Sequence, residues 1–209
     1  MKINDMPKIE CPFVRKEING EYLVTPEIAE GYEWVFNDES VMAIEKLHGT
    51  NVSILIENGV VSAVFNRTER IPFINKGKKH IIEGILNSFE RGMLDMLPDG
   101  QFFGELIGPK VNGNPYKLEE HLWIPFSTYC QKHLKYKCWG KYPKTFKSIS
   151  SWFKELMPLY ALLNGSGKAN DDGTYSGYVE GIVFTHPDGR MSKLRKDMFD
   201  WFKGRRHVD

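Results

Sequence analysis

Residues 41–56 read VMAIEKLHGTNVSILI. Apolar side chains recur at alternate or neighbouring positions, the pattern of a buried β-strand, and Asn58-Gly59 just beyond is a hairpin signal. Residues 60–65 (VVSAVF) then read as the return strand. A lysine, Lys46, stands inside this apolar run, preceded by Glu45 and followed three residues later by Gly49. A glycine at that spacing lets the backbone approach a ligand closely. A lysine at a strand end becomes a nucleophile when neighbouring cations disfavour its ammonium form.

Working outward, residues 101–107 and 178–184 read as short buried strands. His186-Pro187-Asp188-Gly189 is a turn, so residues 190–196 are expected to pair back as a hairpin. Helical patterns cover about residues 79–97 and 148–163, the second behind a serine cap and interrupted at Pro158. Residues 165–177 form a polar, glycine-rich loop. No internal repeat and no long linker divides the chain, so residues 1–209 are expected to form one α+β domain with antiparallel sheets flanked by helices.

The 209 residues are 41% hydrophobic, 26% charged and 13% aromatic, enough apolar matter for a globular core and against disorder. No apolar run approaches the roughly 20 residues needed to span a bilayer, and the amino terminus has no secretory core. Three cysteines, an odd count without metal-type spacing, are expected as thiols in a reducing, cytoplasmic setting. The formal net charge is only +1, but its distribution is uneven. Residues 1–45 carry four basic and ten acidic side chains, whereas residues 131–154 carry seven lysines and no acid, interleaved with aromatics such as Trp139. Residues 190–209 carry seven basic and three acidic side chains. Two basic segments in a neutral chain suit a local polyanion site. Candidate contacts are Lys135, Lys137, Trp139, Lys141 and Lys144 in the first, and Lys203, Arg205 and Arg206 in the second.

Three further motifs place chemistry on strands. Glu105 lies in the apolar run Phe102-Phe103-Gly104-Glu105-Leu106-Ile107, and Glu180 opens Glu180-Gly181-Ile182-Val183-Phe184. Carboxylates are rarely buried without a partner, so a ligand hydroxyl or an arginine such as Arg67 is expected beside Glu105. Lys193 and Arg195 are two residues apart on the paired strand, so both face the same way and can reach one phosphate. Gly165-Ser166-Gly167-Lys168 imitates a phosphate-binding loop but lacks its first glycine and its hydroxyl residue, and reads as a flexible loop.

Taken in order, Lys46, Arg67, Glu105, Glu180, Lys193 and Arg195 resemble the signature of the covalent nucleotidyltransferases, which include ATP-dependent RNA and DNA ligases and capping enzymes. Glu45-Lys46-Leu47-His48-Gly49-Thr50-Asn51 is most similar to the RNA ligase 2 family of phages and kinetoplastids, over roughly residues 40–200. The resemblance implies a ligase adenylation domain with ATP bound between its sheets, and a divalent cofactor, Mg²⁺ or Mn²⁺. It implies that Lys46 takes AMP, that Glu45 lies beside the adenine, and that Phe126 stacks on the base. Arg67 and Glu105 would hold the ribose, and Glu180 the metal. Lys193 and Arg195 would neutralise the α-phosphate, while His48, Gly49 and Asn51 would contact the phosphates or the nucleic acid end. The implied substrate is RNA with 5′-phosphate and 3′-hydroxyl ends, with DNA or hybrid ends as further partners; a minimal ATP-dependent DNA nick ligase, and a non-catalytic nucleic-acid-binding protein on the same fold, are the alternatives.

Two positions depart from the resemblance. Arg195 stands where the family usually has a second lysine, and Lys196 beside it leaves the register open by one residue. The chain runs about 13 residues past Lys196, too few for the OB-fold or helical domain that follows in relatives, so neither is expected.

Overall fold

The computed structural model describes residues 2–74, 76–141 and 143–206, with the side chain of Lys141 outside that description; Met1, Asn75, Tyr142 and residues 207–209 lie beyond it. In chain order the strands are β1 (Phe13–Ile18), β2 (Glu21–Ile28), β3 (Met42–Lys46), β4 (Thr50–Glu57), β5 (Val60–Asn66), β6 (Glu69–Ile71), β7 (Gly100–Ile107) and β8 (Leu122–Pro125), followed by β9 (Lys168–Ala169), β10 (Tyr175–Ser176), β11 (Gly181–Thr185) and β12 (Met191–Arg195). The helices are α1 (Trp34–Asn37), α2 (Lys79–Glu90), α3 (Gln131–His133), α4 (Phe146–Lys154) and α5 (Leu159–Leu163). All strand pairs are antiparallel. The architecture is therefore α+β. Among the described residues no helix is long and apolar enough to cross a membrane.

The chain forms two compact units, one of residues 1–7 and 47–134 and one of residues 8–46 and 135–209. In the first, five strands lie in the order β6-β5-β4-β7-β8. The β4–β5 hairpin turns at Asn58 (φ 53°) and Gly59 (φ 73°), where a left-handed backbone matches strand twist and favours Asn-Gly. One sheet face carries Val52, Ile54, Val64, Leu106 and Trp123, and α2 closes it with Ile81 and Ile85. Buried Ile81, Gly84, Ile85 and Ser88 share one stripe of α2, as spacings of three and four require. The buried Trp123 satisfies its indole by donating Nε1–H to the Val52 carbonyl at 3.0 Å, and its backbone N–H donates to Ser88 Oγ at 2.8 Å. The helical pattern extended to residue 97, but the helix stops at Glu90 and turns follow, with Leu94 and Leu97 still in the core.

In the second unit the sheet order is β12-β11-β3, beside the separate β1–β2 hairpin. Ala43, Ile182, Phe184 and Leu194 join Phe13, Trp139, Phe153 and Phe199 in one core. Helix α4 begins two residues before the expected Ser148. Its cap is Thr145, whose Oγ1 accepts from the Ser148 backbone N–H at 3.3 Å. The glycine-rich loop contains the short β9–β10 pair, and Lys168 lies exposed on β9, with no helix following as a phosphate loop requires. Residues 41–56, read as a continuous apolar stretch, break at Leu47–Gly49: β3 belongs to the second unit and β4 to the first.

Candidate active site

The second unit assembles the basic and acidic motifs on one sheet face. Lys46 on β3 pairs with Gly181 on β11, and Gly181 pairs with Arg195 on β12. Directly paired residues of antiparallel strands share a face, so Lys46 and Arg195 point to the same side with a glycine between them. Val183 and Lys193 form the next rung of that face. A Cβ at Gly181 would meet the Leu194 carbonyl and lie 2.7 Å from the Arg195 Cα, which explains the glycine by close strand approach. The Lys46 ammonium reaches Glu180, just before β11, with Nζ 2.8 Å from Oε2. Glu180 is nearly buried, its side chain 7% exposed, whereas Lys46 keeps 22%.

The same alternation separates Arg195 from Lys196. Arg195 shares the face of Lys193, while Lys196 follows the strand and donates Nζ–H to the Lys154 carbonyl at 3.3 Å. Burial holds the Lys196 ammonium below its usual range. Arg195 is itself buried, with Nε donating to Asp197 Oδ1 at 2.9 Å. Asp197 was not anticipated; its spacing of two from Arg195 was the available signal.

Glu45 occupies the opposite face from Lys46, as strand alternation dictates. It is 2% exposed. Its Oε2 accepts from the Tyr160 backbone N–H at 3.2 Å and from the Tyr136 hydroxyl at 3.3 Å. Burial pushes the carboxyl up to about 8, against the smaller downward effect of its hydrogen bonds. At pH 7 the group is therefore a neutral acid. Between pH 4.5 and 8 the unfolded chain releases this proton and the folded chain keeps it, so stability falls as pH rises and levels off above 8. Glu45→Gln, which removes the titration, should gain on the wild type by a few kcal/mol (order of magnitude) across that window. Denaturant unfolding at pH 5 and pH 8 checks this; a variant-minus-wild-type difference that does not change with pH would contradict it.

The first unit holds the other candidates. Asn51 on β4 faces Glu105 on β7 in register, on the sheet face opposite α2. Glu105 is 8% exposed. Gly49 packs against this pair: a Cβ there would meet the Leu106 carbonyl and lie 2.8 Å from the Glu105 Cγ. Asn112 Nδ2 donates to the Gly49 carbonyl at 2.6 Å, and the His48 backbone N–H donates to the buried Tyr116 hydroxyl at 2.9 Å. These two partners were missed because both lie in an irregular loop without periodic pattern. Asn51 Nδ2 lies 2.9 Å from the Met6 sulfur. Phe126 is half-buried at the start of a π-helical turn after β8. Arg67 sits in the β5–β6 turn at φ 55°, its side chain 82% exposed and 3.9 Å from Asp5.

Two expected nucleic-acid contacts need correction. Trp139 is 2% exposed and stacks on Trp152 with ring centroids 5.6 Å apart, so it is a core residue and offers no open face to a base. Its place among lysines hid this. Arg206 is committed internally: its guanidinium donates to the carbonyls of Asp197, Phe199 and Phe202, and pairs with Glu21 at 2.8 Å. Lys135, Lys137, Lys203 and Arg205 are exposed, and Lys144 lies 5.0 Å over the Trp139 ring. Lys141 falls outside the described side chains.

Comparison with solved structures finds RNA ligase of Naegleria gruberi. An apo variant is 15% identical, with 92% of this chain and 62% of that chain covered and a TM-score of 0.45. A variant with ATP and Mn is 14% identical (93% and 62% covered, TM-score 0.45), and one with AMP and Mn is 13% identical (90% and 60% covered, TM-score 0.45). This chain thus spans about three fifths of those ligases, and likeness at that level adds no weight to the site. No curated protein matches the chain. The family comparison is decisive, because the RNA ligase family model matches residues 39–204 and so takes in Lys46, Glu105, Glu180, Lys193 and Arg195 together. The chain belongs to the RNA ligase family.

Proposed function

We propose that the protein is an ATP-dependent RNA ligase whose described fold is the adenylyltransferase domain. The observation that carries this reading is the Lys46–Glu180 pair at 2.8 Å on the face that also bears Lys193 and Arg195. Lys46 Nζ first releases one proton to become the neutral amine and then attacks the α-phosphorus of ATP; the N–P bond forms, the bond to pyrophosphate breaks, and Nζ gives up a second proton. A 5′-phosphate oxygen of the RNA then attacks the same phosphorus, the N–P bond breaks, and the lysine recovers a proton. Finally a 3′-hydroxyl attacks the 5′-phosphorus; the phosphodiester bond forms, the hydroxyl proton passes to solvent and AMP leaves. Lys193 and Arg195 offset the charge that gathers on the transferred phosphate, a fixed electrostatic role that needs no rearrangement during reaction.

The residues fit a divalent cation of the kind that phosphate chemistry uses. Among the described residues no group of three or more His, Cys, Asp or Glu could hold a metal ion. Glu180 plus phosphate oxygens and water is the arrangement Mg²⁺ favours. When bound, such a cation would offset charge on the ATP phosphates. Glu180 itself orients Nζ, and its carboxylate is the natural acceptor when Nζ loses its proton. Asn51, Glu105 and Phe126 are assigned to the nucleoside, and Lys135, Lys137, Lys144, Lys203 and Arg205 to the RNA backbone.

Sealing assays on 5′-phosphorylated RNA, DNA and hybrid ends, with ATP and Mg²⁺ or Mn²⁺, test the substrate. RNA joined in preference to DNA is expected, and joining of DNA alone would overturn the assignment. Neutralising Lys135, Lys137, Lys141 and Lys144 to Gln should lower sealing more than AMP loading. It should also flatten log K against log[salt] by about 0.7 per lost phosphate contact. Wild-type sealing with an unchanged slope would remove this segment from the RNA path.

A further inference from the structure

Asp197 is a buried carboxylate that the proposed reaction does not use. Its side chain is 5% exposed and accepts Nε–H of Arg195, whose side chain is 6% exposed, at 2.9 Å. Burial of charge calls for pairing, but this pair also lies beside the candidate active site. The Lys196 backbone N–H donates to the Glu180 carbonyl at 2.9 Å and so continues the β11–β12 ladder past the Gly181–Arg195 rung. Glu180, which meets Lys46, is therefore one rung from Arg195. Tyr178 senses both ends of this cluster: burial first, then the Glu180 and Asp197 carboxylates, hold its hydroxyl well above the usual range, and Arg195 opposes them.

The carboxylate sits on a fixed support. Residues 196–198 form a 3₁₀ turn after β12, and Met198 and Phe199 anchor it in the core, each 1% exposed. Arg206 donates to the carbonyls of Asp197, Phe199 and Phe202 and pairs with Glu21 at 2.8 Å. Backbone and neighbours thus fix Asp197, and Asp197 in turn fixes the guanidinium. A guanidinium suits this arrangement and an ammonium does not. Its rigid planar fork can donate Nε–H to one anion and its terminal N–H groups to another. A lysine carries a single point charge, and in the place of Arg195 it would have to choose between Asp197 and a phosphate.

We propose that Asp197 is a positioning residue for nucleotidyl transfer: it locks the Arg195 guanidinium by its Nε edge and so aims the terminal N–H groups at the α-phosphate. The inference rests on the ligase reading, which assigns Arg195 to that phosphate. A purely structural ion pair would alter folding and leave the rate per folded molecule unchanged.

The test uses the full chain carrying Asp197→Ala, Asp197→Asn, Arg195→Lys, or the last two together. Four quantities are read: the folded fraction, AMP loading at saturating ATP, KM for ATP, and affinity for AMP by titration calorimetry. Asp197→Ala should slow loading per folded molecule about tenfold or more, without raising KM, because the site loses a negative charge. Asp197→Asn, which keeps an acceptor for Nε–H, should recover most of that rate. Arg195→Lys should weaken AMP affinity and loading about tenfold. Adding Asp197→Asn to it should restore part of both, because the lysine then turns to the phosphate. The asparagine substitution thus slows the wild type slightly and speeds the lysine variant. Should the alanine variant not fold, since a buried guanidinium without its carboxylate is costly, this reversal of sign decides. Unchanged loading per folded molecule in Asp197→Ala, or an Asp197→Asn effect that is the same with and without Arg195→Lys, would overturn the proposal. Failure of the wild type to load AMP would instead count against the ligase reading. AMP affinity needs no chemistry and still decides this inference: additive effects on it, or no AMP binding at all, would overturn it.

Discussion

Lys46→Arg and Lys46→Ala will carry no AMP after incubation with α-labelled ATP. Arginine keeps the positive charge that meets Glu180, but it stays protonated at any usable pH and has no lone pair to offer phosphorus. Alanine removes the nitrogen altogether. The arginine variant is the more informative, since the Lys46 side chain spans a defined 2.8 Å contact to Glu180 and a cation in its place can preserve the fold. Both variants should still join an RNA supplied with a chemically adenylylated 5′ end, because that step needs no attack by the lysine. Label on either variant would mean that another residue is the nucleophile.

Glu180→Ala and Glu105→Ala should each lower overall sealing by at least about a hundredfold, as loss of a positioned electrostatic group does. Their glutamine variants should part company. Glu180 Oε2 takes the Lys46 ammonium directly, and a metal ligand there also depends on charge. Glu180→Gln should therefore stay close to Glu180→Ala. Glu105 sits across β4–β7 from Asn51 in the first unit, where a ribose hydroxyl can bond an amide as well as a carboxylate. Glu105→Gln should recover most of its activity. Rates with ATP and RNA at saturation measure this, and equal recovery at both positions would contradict the division of roles.

The residues that turned out to be readable are those whose position depends on local periodicity. Asn58-Gly59 announces its own hairpin, and the two-residue spacing of Lys193 and Arg195 does place them on one face. What escaped depends on tertiary context. The break at Leu47–Gly49 is concealed because both flanking strands are apolar, although they belong to different sheets. The β1–β2 hairpin was overlooked because its strands carry Arg15, Lys16, Glu17 and Glu21 and little alternation, yet Asn19 and Gly20 at positive φ make the same turn as Asn58-Gly59. Trp139 and Arg206 look alike to composition, a ring and a cation in basic stretches, and only packing shows both turned to internal partners. Glu45 was legible in principle. Adjacent strand residues face opposite ways, so a carboxyl next to Lys46 had to enter the other side of the sheet, where Tyr136 and Tyr160 meet it.

The central claim is that Lys46 accepts AMP. Its most direct measurement is mass spectrometry of the wild-type protein after incubation with ATP and Mg²⁺, followed by proteolysis to locate the added group. The expected result is the mass of one AMP on the peptide containing Lys46, lost on addition of pyrophosphate or of 5′-phosphorylated RNA. A protein that stays unmodified, or an adduct at any other residue, would contradict it.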